Sequence, residues 1–158
     1  MTLIFNYFRQ FIQILIYNIL KKKKIDHIAI AVKNLDDSGK LFKNLLNTEP
    51  SKTETIKSEK VKVQFFETKN SKIELLEGIG EKSPITKFIK KRGEGIHHIA
   101  FEVEDIYKEI ERLKQLGFKT ISESISTGAN NKLISFLHPK DTNGVLIEIC
   151  QKKKINGI

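Results

Sequence analysis

Two histidines and two glutamates occupy matched positions in two similar stretches of the chain. His27 lies in the run DHIAIAV, and His98 lies 71 positions later in the run HHIAFEV. Glu74 and Glu148 lie in two apolar runs, 74 positions apart. Two imidazoles and two carboxylates are suitable ligands for a borderline divalent ion such as Co²⁺, Ni²⁺, Zn²⁺, Mn²⁺ or Fe²⁺, and a carboxylate on a buried strand needs a partner of this kind. The four side chains therefore predict a divalent metal site with positions left open for a substrate.

The repeat also predicts the elements that must position these side chains. Each histidine run is β-type and is followed by an acidic turn and then by a helical pattern. In the first module the helical pattern consists of Leu41, Phe42, Leu45 and Leu46. In the second module it consists of Ile106, Ile110, Leu113 and Leu116, and the predicted helix ends at Gly117. Later strands are predicted at 61–68 and 72–77, and then at 119–124, 132–138 and 145–149. A linking helix is predicted at 83–91, with Ser83 as its cap and Pro84 in its first turn.

These elements predict an α+β fold in which two βαβββ modules, about residues 25–80 and 94–151, form one curved, open-barrel sheet around the metal. Together they make a single domain at 25–151, followed by a basic tail at 152–158. Residues 1–24 form an apolar-basic extension that is too polar for a good membrane span and lacks the features of a secretory signal. The extension fits an amphipathic helix on a membrane or partner, a targeting segment, or a misassigned start.

The alternation of side chains along a strand predicts which residues share a face with the histidines. His27 should share its face with Ala29 and Ala31, and His98 should share its face with Ala100. The alanines are small, so they leave room beside each imidazole for a metal or a substrate.

Several polar residues have a simpler structural interpretation. A lone histidine on a strand is more often hydrogen-bonded than metal-bound, and a lone strand glutamate faces solvent by default; the matched repeat positions favour the metal interpretation. His97 aligns with Asp26, and alternation predicts that its side chain points away from the face of the ligands. Glu109, Glu111 and Arg112 are predicted to form a solvated helix face and are given no role.

Composition narrows the classes of partner. The chain has 158 residues, with 28 Lys and Arg against 19 Asp and Glu, and a net charge of +9. The lysines are mostly scattered, Trp is absent, and no basic run is interleaved with aromatics, so we do not expect a nucleic-acid partner. The same charge suits an anionic small substrate. The single Cys150 excludes an internal disulfide framework and fits a reducing compartment.

Several local motifs follow one another in a fixed order. They are IDHIAIAV at 25–32, KIELLE at 72–77, SPI at 83–85, GEGIHHIAFEV at 93–103, FLHPKD at 136–141 and GVLIE at 144–148. In order and spacing they resemble the methylmalonyl-CoA epimerase family of the vicinal-oxygen-chelate superfamily, in which paired βαβββ modules surround a metal. The resemblance covers about residues 25–151.

The resemblance implies that His27, His98 and Glu148 bind the metal and that Glu74 occupies a fourth ligand position. It also implies interconversion of (R)- and (S)-methylmalonyl-CoA. In this reaction a proton leaves C2 to give an enolate and returns on the opposite face, which requires two acid/base groups. Glu148 is expected to be one of them, and Glu74 or a water on the metal the other. Lys140 is expected to bind a substrate carboxylate or a CoA phosphate, with a surface turn as the alternative.

Further expectations concern a second base, two turns and the alternatives on the same fold. Some epimerases place a second base near residues 58–63, where Glu59 is the carboxylate. His138 is expected to structure a turn, and 126–131 is expected to be a mobile loop over the site or a hairpin connection.

The alternatives on the same fold are a glyoxalase I-type lyase, an Fe(II) dioxygenase and a metal-free binding protein. The resemblance implies a homodimer and Co²⁺, with Ni²⁺, Mn²⁺ and Zn²⁺ as alternative metals. We expect a cytoplasmic location, or an organellar matrix if residues 1–24 are a targeting segment.

Overall fold

The computed structural model describes residues 9, 12 and 23–153, so the predicted extension lies almost entirely outside the described residues. The first module contains β1 (Lys24–Val32), α1 (Leu35–Leu46), β2 (Glu54–Ile56), β3 (Val61–Glu67) and β4 (Lys72–Gly78). A linking helix α2 (Pro84–Arg92) leads to the second module, which contains β5 (Gly95–Glu102), α3 (Ile106–Gln115), β6 (Ser126–Thr127), β7 (Leu133–Leu137) and β8 (Ile147–Gln151). In the described part of the chain, no helix is long and apolar enough to span a membrane.

All eight strands form one sheet in the order β2-β3-β4-β1-β5-β8-β7-β6. The two modules meet where β1 pairs antiparallel with β5, and each of these strands pairs in parallel with the last strand of its own module. The sheet curls until its edges approach one another, since the carboxylate of Glu54 in β2 accepts the Asn130 N–H beyond β6 at 3.0 Å. The predicted α+β fold of paired βαβββ modules is confirmed.

Helices α1 and α3 pack on the convex face of the sheet, whereas α2 packs Ile85 against Ala29 and Val63 on the concave side. Each helix begins at a side-chain cap. Asn34, Ser83 and Asp105 accept hydrogen bonds from backbone N–H groups in the first turns of α1, α2 and α3. The predicted Ser83 cap is therefore confirmed. Helix α1 packs Leu35 against Phe66 of β3 in one core cluster, and α3 contributes to another.

The apolar spacing predicted helix α1 correctly, although not every residue of the pattern is buried, whereas the solvated position predicted for Glu109 was wrong. Leu41 and Leu45 are 63% and 70% exposed, because the buried face of α1 is set by Leu35 in the first turn and continues through Gly39. Glu109 is not solvated but 9% exposed, since the Arg112 guanidinium and the Lys23 ammonium bind its carboxylate at 2.7 and 2.9 Å.

The strand prediction at 119–124 was also wrong. In this segment Thr120 forms an isolated bridge with Leu137, and the chain then turns where the Ser122 hydroxyl accepts the Ser124 N–H. A serine side chain that bonds nearby backbone competes with strand pairing, so the pairing with β7 resumes only at β6. Sequence reading also missed β2, since three residues carry too little alternation to be recognised.

Candidate metal centre and cavity

Four adjacent strands at the centre of the sheet each place one ionisable side chain on the concave face. Glu74 comes from β4, His27 from β1, His98 from β5 and Glu148 from β8. None of the four is more than 5% exposed. Each module contributes one imidazole and one carboxylate, as the repeat requires.

The strand register explains how the four side chains converge. Ala29 pairs with Glu74 on one side and with His98 on the other, so these three residues form one row across the sheet. His27, Ala100 and Glu148 form the adjacent row. Both alanines are fully buried. A methyl group at the middle of each row leaves space for the longer side chains to lean toward one point.

The ligating atoms of these side chains lie within a few ångströms of one another. His27 Nε2 and His98 Nε2 are 3.1 Å apart, and they lie 3.3 and 3.6 Å from Glu74 Oε2. Glu148 Oε2 is 3.3 Å from His98 Nε2. The structure therefore brings together all four residues that the sequence singled out.

This donor set fits a divalent metal ion. When metal–ligand distances are about 2.0–2.2 Å, neighbouring ligand atoms of a tetrahedral or octahedral ion lie about 3.0–3.5 Å apart, which agrees with the separations at this site. His27, Glu74 and His98 form a group whose ligand atoms could hold one ion together. Mixed nitrogen and oxygen donors suit Co²⁺, Ni²⁺, Zn²⁺ or Mn²⁺.

The prediction that His97 points away from the ligands was wrong. Asp26 on β1 and His97 on β5 are each an extra residue at a β-bulge, between positions that pair across the two strands. A bulge interrupts alternation, so two successive side chains face the same side of the sheet. The carboxylate of Asp26 lies 2.8 Å from His27 Nδ1, and His97 Nδ1 lies 2.9 Å from His98 Nδ1. Each bulge therefore places a polar group behind one histidine.

Burial and neighbouring charges act in opposite directions on the pKa values of His27 and Glu74. Burial would lower the pKa of His27, but its contacts with Asp26 and Glu74 outweigh burial and raise the pKa of His27 to about 10. Burial would likewise raise the pKa of Glu74, yet the hydrogen bond with His27 lowers it below its usual range. A protonated His27 carries a positive charge beside these carboxylates, so a metal ion that binds His27 must displace its proton.

The candidate ligand His98 has a different neighbour from His27. The pKa of His97 is lowered to about 4 by burial and by the nearby charge of His98. His97 is therefore a neutral imidazole where it contacts His98. His27, in contrast, contacts the anionic carboxylate of Asp26.

A cavity of about 260 Å³ opens beside the four ionisable side chains. Its walls are mostly apolar, and His97, His98, Glu74 and Glu148 lie among them. The apolar wall includes Val61, Val63, Leu76, Ile85, Ile134 and Phe136. A small acyl group could enter this space and be shielded from water beside the ionisable cluster.

Some of the remaining predicted residues line the cavity, and others lie outside it. Glu59 lies in the turn before β3 and lines the cavity. The predicted loop at 126–131 contributes Gly128 and Ala129 to the cavity wall. Lys140 is exposed in a short turn after β7, outside the described lining of the cavity. His138 accepts the backbone N–H of Lys140 at 3.2 Å, as expected for a residue that structures the turn.

Sequence reasoning gave no role to two groups near the ligands. One is the pair of bulge residues, Asp26 and His97, for which alternation pointed to the wrong face. The other is Lys132, whose ammonium lies 2.6 Å from the carboxylate of Asp26. The polar residue before each histidine was the available signal for the bulges, whereas no local pattern links Lys132 to Asp26.

Comparison with known proteins places this fold and site in a defined class. The family model described as the glyoxalase/bleomycin resistance protein/dioxygenase superfamily matches residues 26–136. The match spans well over half of the chain, and the chain therefore belongs to that superfamily.

Similar proteins narrow the class further. The ethylmalonyl-CoA/methylmalonyl-CoA epimerase of Cereibacter sphaeroides is 42% identical over 130 residues, which cover 81% of this chain and 97% of that protein. The crystal structure of methylmalonyl-CoA epimerase from Mycobacterium tuberculosis has a TM-score of 0.78 at 32% identity and covers 81% of this chain and 87% of that one. A methylmalonyl-CoA epimerase in complex with methylmalonyl-CoA and NH₄⁺ has a TM-score of 0.79 at 30% identity, covering 86% and 99% of the two chains. Within the superfamily, the chain belongs to the methylmalonyl-CoA epimerase family.

Proposed function

We propose that the chain interconverts (R)- and (S)-methylmalonyl-CoA by moving a proton at C2. The observation that carries this proposal is the cluster of two histidines and two glutamates at the end of an apolar cavity, in a chain of the epimerase family. None of the proteins compared above is a glyoxalase I, so that alternative has no support among them.

His27, His98, Glu148 and Glu74 would hold the metal. When bound, the metal supplies Lewis-acid stabilisation of the negative charge that develops on the thioester oxygen as C2 loses its proton. The C2 hydrogen of this substrate lies between a thioester carbonyl and a carboxylate, so its removal gives a delocalised enolate. The buried walls beside the cluster exclude water and strengthen every charge interaction within the site.

Inversion at C2 requires proton transfer on both faces of the enolate. We assign one face to Glu148, which comes from the second module and lines the cavity. Two carboxylates of the first module, Glu74 and Glu59, also line the cavity and are candidates for the other face. Glu74 lies within 3.6 Å of both histidines and so belongs to the ligand cluster. Glu148 likewise contacts His98, whereas Glu59 lines the cavity without being a candidate ligand, so we propose Glu59 as the second acid/base group, with Glu74 as the alternative.

The cavity has room for the acyl end of the substrate but not for a whole CoA molecule, so the nucleotide must lie outside it. Lys140 is exposed on the turn after β7, and we assign it to a CoA phosphate rather than to the substrate carboxylate. A cationic side chain at the surface contributes to such an anion mainly through its charge.

Three further assignments complete the proposal. Co²⁺ is the metal, the protein acts as a homodimer, and it works in the cytoplasm, or in an organellar matrix if residues 1–24 are a targeting segment. The net charge of +9 supports an anionic substrate. Membrane contact by residues 1–24 is a prediction that lies almost wholly outside the described residues.

Isotope exchange tests the reaction and the site together. The purified protein, reconstituted with Co²⁺, is incubated with (S)-methylmalonyl-CoA in D₂O. Deuterium at C2 is followed by mass spectrometry, and inversion is followed with a stereospecific coupling enzyme. We expect metal-dependent exchange and inversion that are lost in Glu148→Ala and His98→Ala.

The control variant is Glu111→Ala, which removes an exposed carboxylate on α3 and should leave the exchange unchanged. An absence of exchange in protein shown to hold Co²⁺ would overturn the proposed reaction. Glutathione hemithioacetal would then be the next substrate to assay.

A further inference from the structure

Behind His27 lies a buried ion pair that joins the two modules. One oxygen of Asp26, Oδ2, lies 2.8 Å from His27 Nδ1 and 2.6 Å from Lys132 Nζ. The side chains of Asp26 and Lys132 are 3% and 7% exposed. The contact spans 106 positions of sequence, from β1 to the residue before β7. A single carboxylate oxygen therefore holds a lysine and a candidate ligand at the same time.

The energetics of buried ion pairs argue against a purely stabilising role. The desolvation of two charges offsets most of their attraction, and apolar replacements are often as stable. A metal-binding histidine, by contrast, commonly donates its second N–H to a carboxylate, which fixes the ring orientation and strengthens the ligand. Asp26 stands in this relation to His27, because its oxygen faces Nδ1 while Nε2 faces Glu74 and His98.

The equivalent position in the second module provides an internal comparison. His97 occupies the matching bulge and contacts His98 through its ring nitrogen Nδ1 at 2.9 Å. The two histidines are therefore oriented by different chemistry, an anion behind His27 and an imidazole behind His98. Fold repetition alone does not require a charged group at position 26.

Lys132 also connects this pair to the wall of the cavity. Its backbone N–H donates to Ala129 O at 3.2 Å, and its carbonyl oxygen accepts the Gly128 N–H at 2.9 Å. Gly128 and Ala129 both line the cavity. The side chain of Lys132 thus joins the turn that borders the substrate space to the residue behind His27.

We propose that Asp26 and Lys132 are positioning residues for the metal centre: Asp26 orients His27 through Nδ1, and Lys132 holds Asp26 in place. The inference rests on the metal site of the proposed function, but not on which substrate that site converts. It predicts that the pair sets metal affinity and ligand geometry rather than folding alone.

Cobalt binding tests this role without any substrate. Asp26→Asn keeps the size of the side chain and removes its charge. The affinity for Co²⁺ is measured by competition with a chromophoric chelator, and the ligand geometry is read from the visible absorption of bound Co²⁺. We expect Asp26→Asn to weaken Co²⁺ binding by about 10- to 100-fold and to shift the visible bands.

The matched control is Glu109→Gln, which removes another buried acidic partner of a cation, on α3 away from the cluster. It should leave the affinity and the spectrum unchanged. Co²⁺ affinity within about threefold of wild type in Asp26→Asn, together with an unchanged spectrum, would overturn the proposal even if the thermal stability fell. Such a result would leave the epimerase assignment standing, because that assignment is tested by isotope exchange.

Lys132→Met gives a second test, which remains possible if Asp26→Asn does not fold. We expect it to weaken Co²⁺ binding and to shift the spectrum, since Asp26 loses the partner that fixes it. In the double variant with Asp26→Asn, the effect of Lys132→Met on affinity should largely vanish, because Lys132 acts through Asp26. Wild-type affinity and spectrum in Lys132→Met, or fully additive effects in the double variant, would contradict the role of Lys132.

Discussion

Two alanines show how single side chains shape the metal centre. Ala29 lies between Glu74 and His98, and Ala100 lies between His27 and Glu148. Both are fully buried, so a larger side chain would have no free space and would push its neighbours apart. The small size of these residues therefore helps the four longer side chains to converge.

The identity of the second acid/base group can be tested with amide variants. We expect Glu59→Gln to bind Co²⁺ with unchanged affinity and to slow inversion by about 100-fold or more, the usual contribution of a general base. Deuterium should still enter C2 of one enantiomer, because Glu148 continues to serve one face. Glu74→Gln should instead weaken Co²⁺ binding, since Glu74 belongs to the ligand cluster.

Chelator competition and enantiomer-resolved mass spectrometry distinguish these outcomes. Normal turnover in Glu59→Gln, combined with lost turnover and intact affinity in Glu74→Gln, would assign the second face to Glu74.

In strands β1 and β5, the β-bulges determine which polar side chains contact the two histidines. Each bulge turns an extra polar residue toward the concave face, and each of these residues contacts the histidine that follows it. Regular strands would have placed Asp26 and His97 on the convex face, under the helices. The extra residue at each bulge thus supplies one imidazole with a hydrogen-bonding partner on the concave face.

Helix α3 carries a pH-dependent contribution to stability. The hydrogen bond from Arg112 and the contact with Lys23 lower the pKa of Glu109 against the opposing effect of burial. A depressed pKa in the folded state means that the contribution is present above the unfolded value, about 4.5, and is lost as the pH falls through the lower folded value. Because Arg112 is half exposed, we expect Glu109→Gln to cost only about 0.5–1 kcal/mol at pH 7.

The cost should shrink as the pH falls below 4.5. Urea unfolding of wild type and variant in the presence of chelator, from pH 7 to pH 3, measures the difference. Glu111→Gln on the exposed face of the same helix is the control. A difference between wild type and Glu109→Gln that does not change with pH would contradict the assigned ion pair.

For the molecule as a whole, the candidate metal centre lies at the junction between the modules. Its candidate ligands come from β4, β1, β5 and β8, two from each module, and the cavity lies over the same strands. A bound ion would therefore link both halves of the sheet, so its binding energy should appear in global unfolding.

Metal removal tests this link. At a free Co²⁺ concentration about 100 times the dissociation constant, binding stabilises the folded state by about 2.7 kcal/mol, which corresponds to a rise in Tm of about 5–10 °C for a chain of this size. Calorimetry with and without chelator measures the shift. The double variant His27→Ala/His98→Ala should show no such rise, and an equal rise in that variant would place the stabilising ion elsewhere.

The sequence by itself determined the repeat, the α+β class and the four side chains that converge. These features are local: alternation, helical spacing and equivalent positions in two modules are visible along the chain. If Glu74 is equivalent to Glu148 and His27 to His98, then symmetric packing of the modules brings all four together. Strands 61–67, 72–78 and 133–137 were predicted to within one residue for the same reason.

The tertiary structure alone decided where alternation fails and which distant residues meet. A bulge is a shift in pairing between two strands, so neither strand shows it in isolation. The Asp26–Lys132 contact and the entry of Glu59 into the cavity depend on the curl of the whole sheet. Leu41 and Leu45 of α1 are exposed because the orientation of the helix on the sheet buries Leu35 instead. This orientation is determined by tertiary packing. Local patterns specify which side chains are available, whereas long-range pairing and packing specify what each one faces.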